Sequence, residues 1–312
     1  MDAIVTLTVN PAVDKYCQTE RVVPEHKIRC SQVVRDPGGG GLNVSRVLHR
    51  LGGHSRAVYT YGGPTGQVLN RVLEQSDLHG DGLAVQDETR ESLIVAETSS
   101  GQQYRFGMPG PELTSREQDE LVQKLFSGQP QPKWLVSSGS LPPGVSDDFY
   151  RRIARQCRQQ EVKHLVDTSG QALCEAIEEG VYLIKPNLRE LQQLAGCDLA
   201  HEQDQESFIG ELIEAGKVEI VLVSLGAAGA LLMARDLKVR LRSPTVPIKS
   251  KVGAGDSMMG GVLYGLTNGY AMTDAARLGV AAGAAAVMSE GSQLCRKEDV
   301  WQLYDQVTAT VE

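Results

Sequence analysis

Short apolar runs alternate along the chain with longer segments whose apolar residues recur at helical spacing. Ala3–Val9, Ala57–Tyr61, Trp134–Val136, His164–Val166, Tyr182–Ile184 and Ile220–Val223 are rich in Val, Ile and Leu and read as buried strands. Between them, Leu42–Leu51, Gly66–Gln75, Ser115–Phe126, Asp147–Gln159 and Glu206–Ala215 read as helices. This alternation predicts an α/β fold, a mostly parallel sheet with helices on both faces. Ligands of such sheets gather at the carboxyl ends of the strands. Two stretches, 15–35 and 88–107, break the rhythm by alternating polar and apolar residues, as in Ser92-Leu93-Ile94-Val95-Ala96-Glu97. Alternation predicts half-exposed antiparallel strands, either a small flap over the main sheet's open edge or ordinary surface hairpins.

Four glycine- or asparagine-bearing turns carry the candidate chemistry. Val252-Gly253-Ala254-Gly255-Asp256-Ser257 leads into the helical stretch Met258–Leu266. Backbone N–H groups of Gly253, Ala254 and Gly255 at a helix N-terminus stabilise an anion, including the charge on a transferring phosphoryl group. Asp256 in the first turn suits a base that takes a proton from a hydroxyl; the plainer reading is a helix cap. Asp36-Pro37-Gly38-Gly39-Gly40-Gly41-Leu42-Asn43-Val44 lets the backbone approach a ligand closely, with Asn43 free to donate and accept hydrogen bonds. The plainer reading there is a flexible turn. In Lys185-Pro186-Asn187-Leu188-Arg189-Glu190 the spacing puts Asn187 and Glu190 on one face of a helix start. Their oxygens suit a hydrated Mg²⁺ on nucleotide phosphates, and equally a capping box. Ser224-Leu225-Gly226-Ala227-Ala228-Gly229 closes another strand, where a nucleotide could lie along the backbone.

No G-x-G-x-x-G follows a strand, and the single Gly-Lys pair, Gly216-Lys217, precedes Val218. A P-loop NTPase is thereby excluded and a dinucleotide-binding dehydrogenase unsupported. Acidic residues outnumber basic ones, 39 to 31, for a net charge of −8. That argues against nucleic-acid and anionic-membrane binding but leaves room for a small anion held by a few well-placed cations. The six cysteines form no C-x-x-C and the six histidines no zinc spacing, as expected of reduced thiols in a cytoplasmic protein. The N-terminal apolar stretch reads as a first strand rather than a signal peptide, and no apolar run nears the ~20 residues of a membrane span. Composition does not shift along the 312 residues, so the expectation is one large domain, 1–312, with a flap.

Taken together and in this order, Gly-Gly near residue 40, N-x-x-E at Asn187–Glu190 and G-A-G-D at Gly253–Asp256 resemble the PfkB/ribokinase family of sugar kinases. The resemblance runs from Thr8-Val9-Asn10-Pro11-Ala12-Val13-Asp14 to Glu290-Gly291-Ser292-Gln293-Leu294-Cys295. It implies a ribokinase-like fold and ATP-dependent phosphorylation of a sugar phosphate, with fructose 6-phosphate at its 1-hydroxyl as leading acceptor. Fructose 1-phosphate and tagatose 6-phosphate are the alternatives within the family, and a catalytically silent sugar-phosphate sensor the alternative outside enzymes. Residue by residue it implies that Asp14, Gly39, Gly40 and Asn43 hold sugar hydroxyls, with Ser138 nearby. Lys27 and Arg90 would hold the sugar phosphate, while Arg105 either joins them or pairs structurally. Lys185, Asn187, Ser224, Gly226 and Gly229 would contact ATP, and Glu190 with Asn187 would organise Mg²⁺ partly through water. Asp256 would be the base and Gly253, Ala254 and Gly255 the anion hole. The flap would build a homodimer.

Two departures stand out. Many phosphosugar kinases of the family carry Gly-Gly-Lys-Gly where this chain has only glycines, Gly38 to Gly41, which removes one cation and favours fructose 6-phosphate. Lys251 stands where relatives often carry Thr, beside the carbonyls of Ser250 and Val252 that the resemblance implies for K⁺. The sequence therefore leaves K⁺ open.

Overall fold

A computed structural model of the chain describes residues 3–76, 78 and 80–312. Its strands in chain order are β1 (Ile4–Thr8), β2 (Ala12–Thr19), β3 (Ser31–Gly38), β4 (Arg56–Tyr61), β5 (Gly80–Ala84), β6 (Arg90–Glu97) and β7 (Gln103–Gly107). They continue with β8 (Trp134–Ser138), β9 (Lys163–Asp167), β10 (Val181–Ile184), β11 (Val218–Ser224), β12 (Ala230–Ala234), β13 (Leu237–Arg242) and β14 (Thr308–Val311). Among the described residues ten strands form one sheet in the order β14-β13-β12-β11-β10-β9-β8-β1-β4-β5. From β11 to β5 every pairing is parallel, whereas β12, β13 and β14 add an antiparallel edge.

Successive residues of the central strands feed opposite cores. Leu135 packs with Leu7, Phe149 and Tyr150 on one face, while its neighbours Trp134 and Val136 join Val44, Leu48, Met259 and Leu263 on the other. Burial on both faces is why these strands read as continuous apolar runs rather than alternating ones. The two alternating stretches form a second sheet in the order β3-β2-β6-β7, parallel only between β2 and β6. The flap is therefore present, with its strands beginning at Ala12 rather than 15 and no strand within 20–30.

Helix Ala254–Thr267 packs against the alanine-rich helix Met272–Val287 through its glycines. A Cβ on Gly261 would sit 2.7 Å from the Leu278 carbonyl oxygen and 2.9 Å from Gly279 Cα. Close helix packing fixes where the first turn of Ala254–Thr267, with Asp256, stands over the sheet. Gly261→Val is expected to destabilise the fold by about 1–3 kcal/mol through overpacking. Gly210→Ala, in helix Glu202–Glu214 with open space around its Cβ position, should stabilise by about 0.5–1 kcal/mol. Thermal melts of the two variants check the contrast.

Candidate active site

The carboxyl ends of the central parallel strands deliver Ser138 from β8, Asp167 from β9, Lys185 just after β10 and Ser224 from β11. Above them stands helix Ala254–Thr267. Its N-cap is Gly253, with φ 73°, a left-handed conformation that side chains resist. Asp256 in the first turn turns to a different partner. Its Oδ2 accepts a hydrogen bond from Asn43 Nδ2 at 2.8 Å, so the flexible glycine turn and the start of the Gly40–Leu51 helix are locked to it. Burial and the nearby Asp167 carboxylate push the Asp256 pKa up to about 6, against the pull of the Asn43 hydrogen bond and the Lys185 ammonium.

Two cavities meet at this turn. One, of about 380 Å³, is bounded by Asp14, Gly39, Gly40, Asn43, Arg90 and Arg105, and closes on Val252, Gly253 and Asp256. Burial raises Asp14 to about 6, although Arg90, Arg105 and Arg46 all pull it down. Arg90 is anchored by its Nη2, which donates to the Asn10 carbonyl at 3.2 Å. Arg105, exposed on β7, has no ion pair among the described residues. Ser138 lies beneath Gly40 with its Oγ buried and without a hydrogen-bond partner. An orphaned hydroxyl there suits a ligand hydroxyl. Lys27 is exposed within residues 20–30 and is not among the residues that wall this cavity.

The other cavity, of about 460 Å³, lies on the far side of the turn. Ser224, Gly226, Lys251, Ala254 and Gly255 border it, and Val246, Ile248, Val280, Ala284 and Val287 make an apolar wall. Gly229 is not part of it. A side chain there would strike the Leu241 backbone, so the glycine serves the tight turn between β11 and β12. Lys185 lies under the glycine turn, buried, with Nζ 3.1 Å from Asp167 Oδ1. The carboxylates of Asp167, Asp256 and Glu190 outweigh burial and raise its pKa, so it is charged.

Asn187 and Glu190 form a reciprocal capping box, each backbone N–H held by the other's side chain at 2.9 Å. The capping reading is thus correct, and it leaves lone pairs on Glu190 for water around a Mg²⁺ ion. Among the described residues no cluster of three His, Cys, Asp or Glu forms a metal cage. Ser250 Oγ accepts from the Val252 N–H at 3.2 Å. The carbonyls of Ser250 and Val252 accept no backbone hydrogen bond among the described residues, which suits a monovalent cation.

Two charged groups here were not anticipated from the sequence. Asp167 is the last residue of β9, one position beyond the apolar run His164–Val166, where a polar group at a parallel strand's carboxyl end marks a ligand crevice. Arg46 sits three residues after Asn43, on the same helix face, and is buried.

Residues 7–299 match the pfkB family of carbohydrate kinases. The chain belongs to that family. It is 41% identical to the ATP-dependent 6-phosphofructokinase isozyme 2 of Mycobacterium tuberculosis, over 97% of this chain and 89% of the relative. The structure of Escherichia coli phosphofructokinase-2 in complex with fructose-6-phosphate superposes with a TM-score of 0.92 at 36% identity, covering 98% and 99% of the two chains. The same enzyme's structure with potassium gives 0.94 at 37% identity, with the same coverage.

The two raised carboxyls set opposite pH trends in this kinase. Asp14 and Asp256 bind protons more tightly folded, at about 6, than their ordinary 3.8. Their stabilising contribution is full below 3.8 and is lost as pH rises through about 6. A base at Asp256 must be ionised to act, so with that role kcat/KM for the acceptor should rise through the same pH. A pH–rate profile that stays flat down to pH ~4.5 would contradict the assignment.

Proposed function

We propose that the protein transfers the γ-phosphoryl group of ATP to the 1-hydroxyl of fructose 6-phosphate, giving fructose 1,6-bisphosphate and ADP. The observation that carries this reading is the meeting of a cationic, hydroxyl-binding cavity and an apolar-walled cavity at one helix N-terminus bearing a buried Asp. The acceptor lies against Asp14, Gly39, Gly40, Asn43 and Ser138, with its phosphate toward Arg90 and Arg105. The nucleotide lies along Ser224, Gly226 and the apolar wall, with Lys185 beneath its phosphates.

Asp256 accepts the hydroxyl proton as the oxygen attacks, and its pKa near 6 makes it ionised at neutral pH yet basic enough for the task. The N–H groups of Gly253, Ala254 and Gly255 face the transferring group, where fixed dipoles need no reorganisation. Glu190 and Asn187 would hold the hydrated Mg²⁺ that neutralises phosphate charge when bound. Ser250 and Val252 carbonyls would hold K⁺. An enzyme that retains this base in position is a poor candidate for a silent sensor.

The flap supplies a dimer face. Ile28, Val33, Val34, Phe106 and Met108 are exposed on or beside it, and a second copy of the chain is the occupant this reading assigns. Among the described residues no helix is long and apolar enough to cross a membrane.

Asp256→Asn should fold and bind ATP while kcat falls at least about a hundredfold; near-parental turnover would remove Asp256 as the base. Assayed with ATP against fructose 6-phosphate, fructose 1-phosphate, tagatose 6-phosphate and unphosphorylated fructose, the protein should prefer the first by kcat/KM. Arg90→Ala should raise KM for the phosphosugar and leave that for ATP nearly unchanged. Equal effects on both would place Arg90 away from the acceptor phosphate.

A further inference from the structure

We propose that Arg46 is a positioning residue for this phosphoryl transfer: its guanidinium fixes the Asn43 side-chain amide in the one sense that donates a hydrogen bond to Asp256. The inference rests on the role given above to Asp256 and deepens it. Arg46 Nη1 donates to Asn43 Oδ1 at 3.1 Å, and Asn43 Nδ2 donates onward to Asp256 Oδ2 at 2.8 Å. An Asn amide has two nearly isosteric senses, with oxygen and nitrogen exchanged. A guanidinium only donates and a carboxylate only accepts. The flipped amide would therefore set NH₂ against Arg46 and oxygen against Asp256, two repulsions in place of two bonds.

The surroundings support a dedicated role. Leu42, Val44, Val47 and Leu48, buried nearby on the Gly40–Leu51 helix, are apolar, and Ser45 beside them is turned to Thr6 and Ser55. A cation among them is costly unless held. It is held by the Pro37 carbonyl at 3.0 Å and by Asp36 at 3.5 Å, whose second oxygen accepts from Ser292 Oγ at 2.9 Å. The charged groups acting on Asp256 are Asp167, Lys185 and Asp14, with Arg46 behind the Asn43 amide. Those acting on Asp14 are Arg90, Arg105, Arg46 and Asp36. Arg46 is thus a buried cation shared by both carboxylates of the acceptor cavity, and Asp36 is its counter-charge.

The test is the acid limb of kcat against pH, at saturating ATP and acceptor, in Arg46→Met, Arg46→Lys and Asp36→Asn, with melts to verify folding. Arg46→Met frees the amide to turn and removes the cation. Its limb should move up by about one pH unit, with kcat near pH 6 falling about fivefold and recovering at alkaline pH. Arg46→Lys keeps a donor and a charge and should lie between Met and the parent. Asp36→Asn leaves Arg46 less neutralised and should move the limb down, while KM for ATP is unchanged in all three. Opposite shifts cannot come from general loss of packing. A limb that stays in place in Arg46→Lys and Asp36→Asn, or moves the same way in both, overturns the proposal, even if Arg46→Met fails to fold. Failure of fructose 6-phosphate as acceptor would strike the proposed function alone, because whichever hydroxyl is phosphorylated reports the same limb. Should no acceptor turn over, the ¹³C-carboxyl titration of Asp256, assigned by its loss in Asp256→Asn, reads the shifts without substrate.

Discussion

The structure depends on keeping one carboxylate ionised where two anions must meet. Asp256 is buried between the two cavities that the proposed function gives to acceptor and nucleotide, with Asp167 and Asp14 adding to its burden. Left to burial and like charges it would be a neutral acid, useless as a base. What opposes this is specific: one amide hydrogen bond from Asn43, the Lys185 ammonium and the positive end of its own helix. Each of these comes from a different part of the chain, 43, 185 and 253–256, and the parallel sheet brings their strand ends to one crevice. The tight glycine packing of the helix behind it then sets the height at which the carboxylate stands.

The flap is joined to the same turn and not merely laid over it. Val252, immediately before Gly253, packs with Tyr16 and Ile94 of the second sheet. Gln103 on β7 donates to the Lys249 carbonyl at 3.1 Å, and its side-chain oxygen accepts from Ser250 Oγ at 3.4 Å. The sheet that carries Asp14, Arg90 and Arg105 therefore bears directly on the loop that carries Lys251 and the anion hole. On the proposed function, an acceptor held by this sheet would bear on the placement of the N–H groups of Gly253, Ala254 and Gly255. Such linkage favours transfer to a bound hydroxyl over transfer to water.

Much of this was legible in the sequence, for identifiable reasons. The buried strands are continuous apolar runs, and the flap strands alternate, because one sheet is covered on both faces and the other on one. The turns at 36–44 and 252–257 declare themselves through glycine. What was hidden lacked a period or a neighbour in sequence. Helix Met272–Val287 is mostly alanine and glycine, with Thr273, Asp274 and Arg277 its few polar residues, so its apolar stripe is weak. The antiparallel edge β12–β14 joins segments some 70 residues apart, as Arg240 opposite Thr310 illustrates. Arg46 reads as an ordinary surface arginine until the fold buries it. Nothing local reveals the Leu241 backbone packed against Gly229.

A net charge of −8 is awkward for a protein that takes two anions, and the resolution is local. On the outer surface charges pair off, as with Arg151, Arg155 and Arg158 around Glu179, and Lys238 and Arg240 with Glu206 and Glu312. Around the acceptor cavity three arginines, Arg46, Arg90 and Arg105, act on Asp14. Under the glycine turn Lys185 answers Asp167. Low-dielectric walls and exclusion of water give these few cations a reach that solvated surface carboxylates lack. The sign of the potential that an arriving phosphate meets is then set by the crevice and not by the sum over the chain.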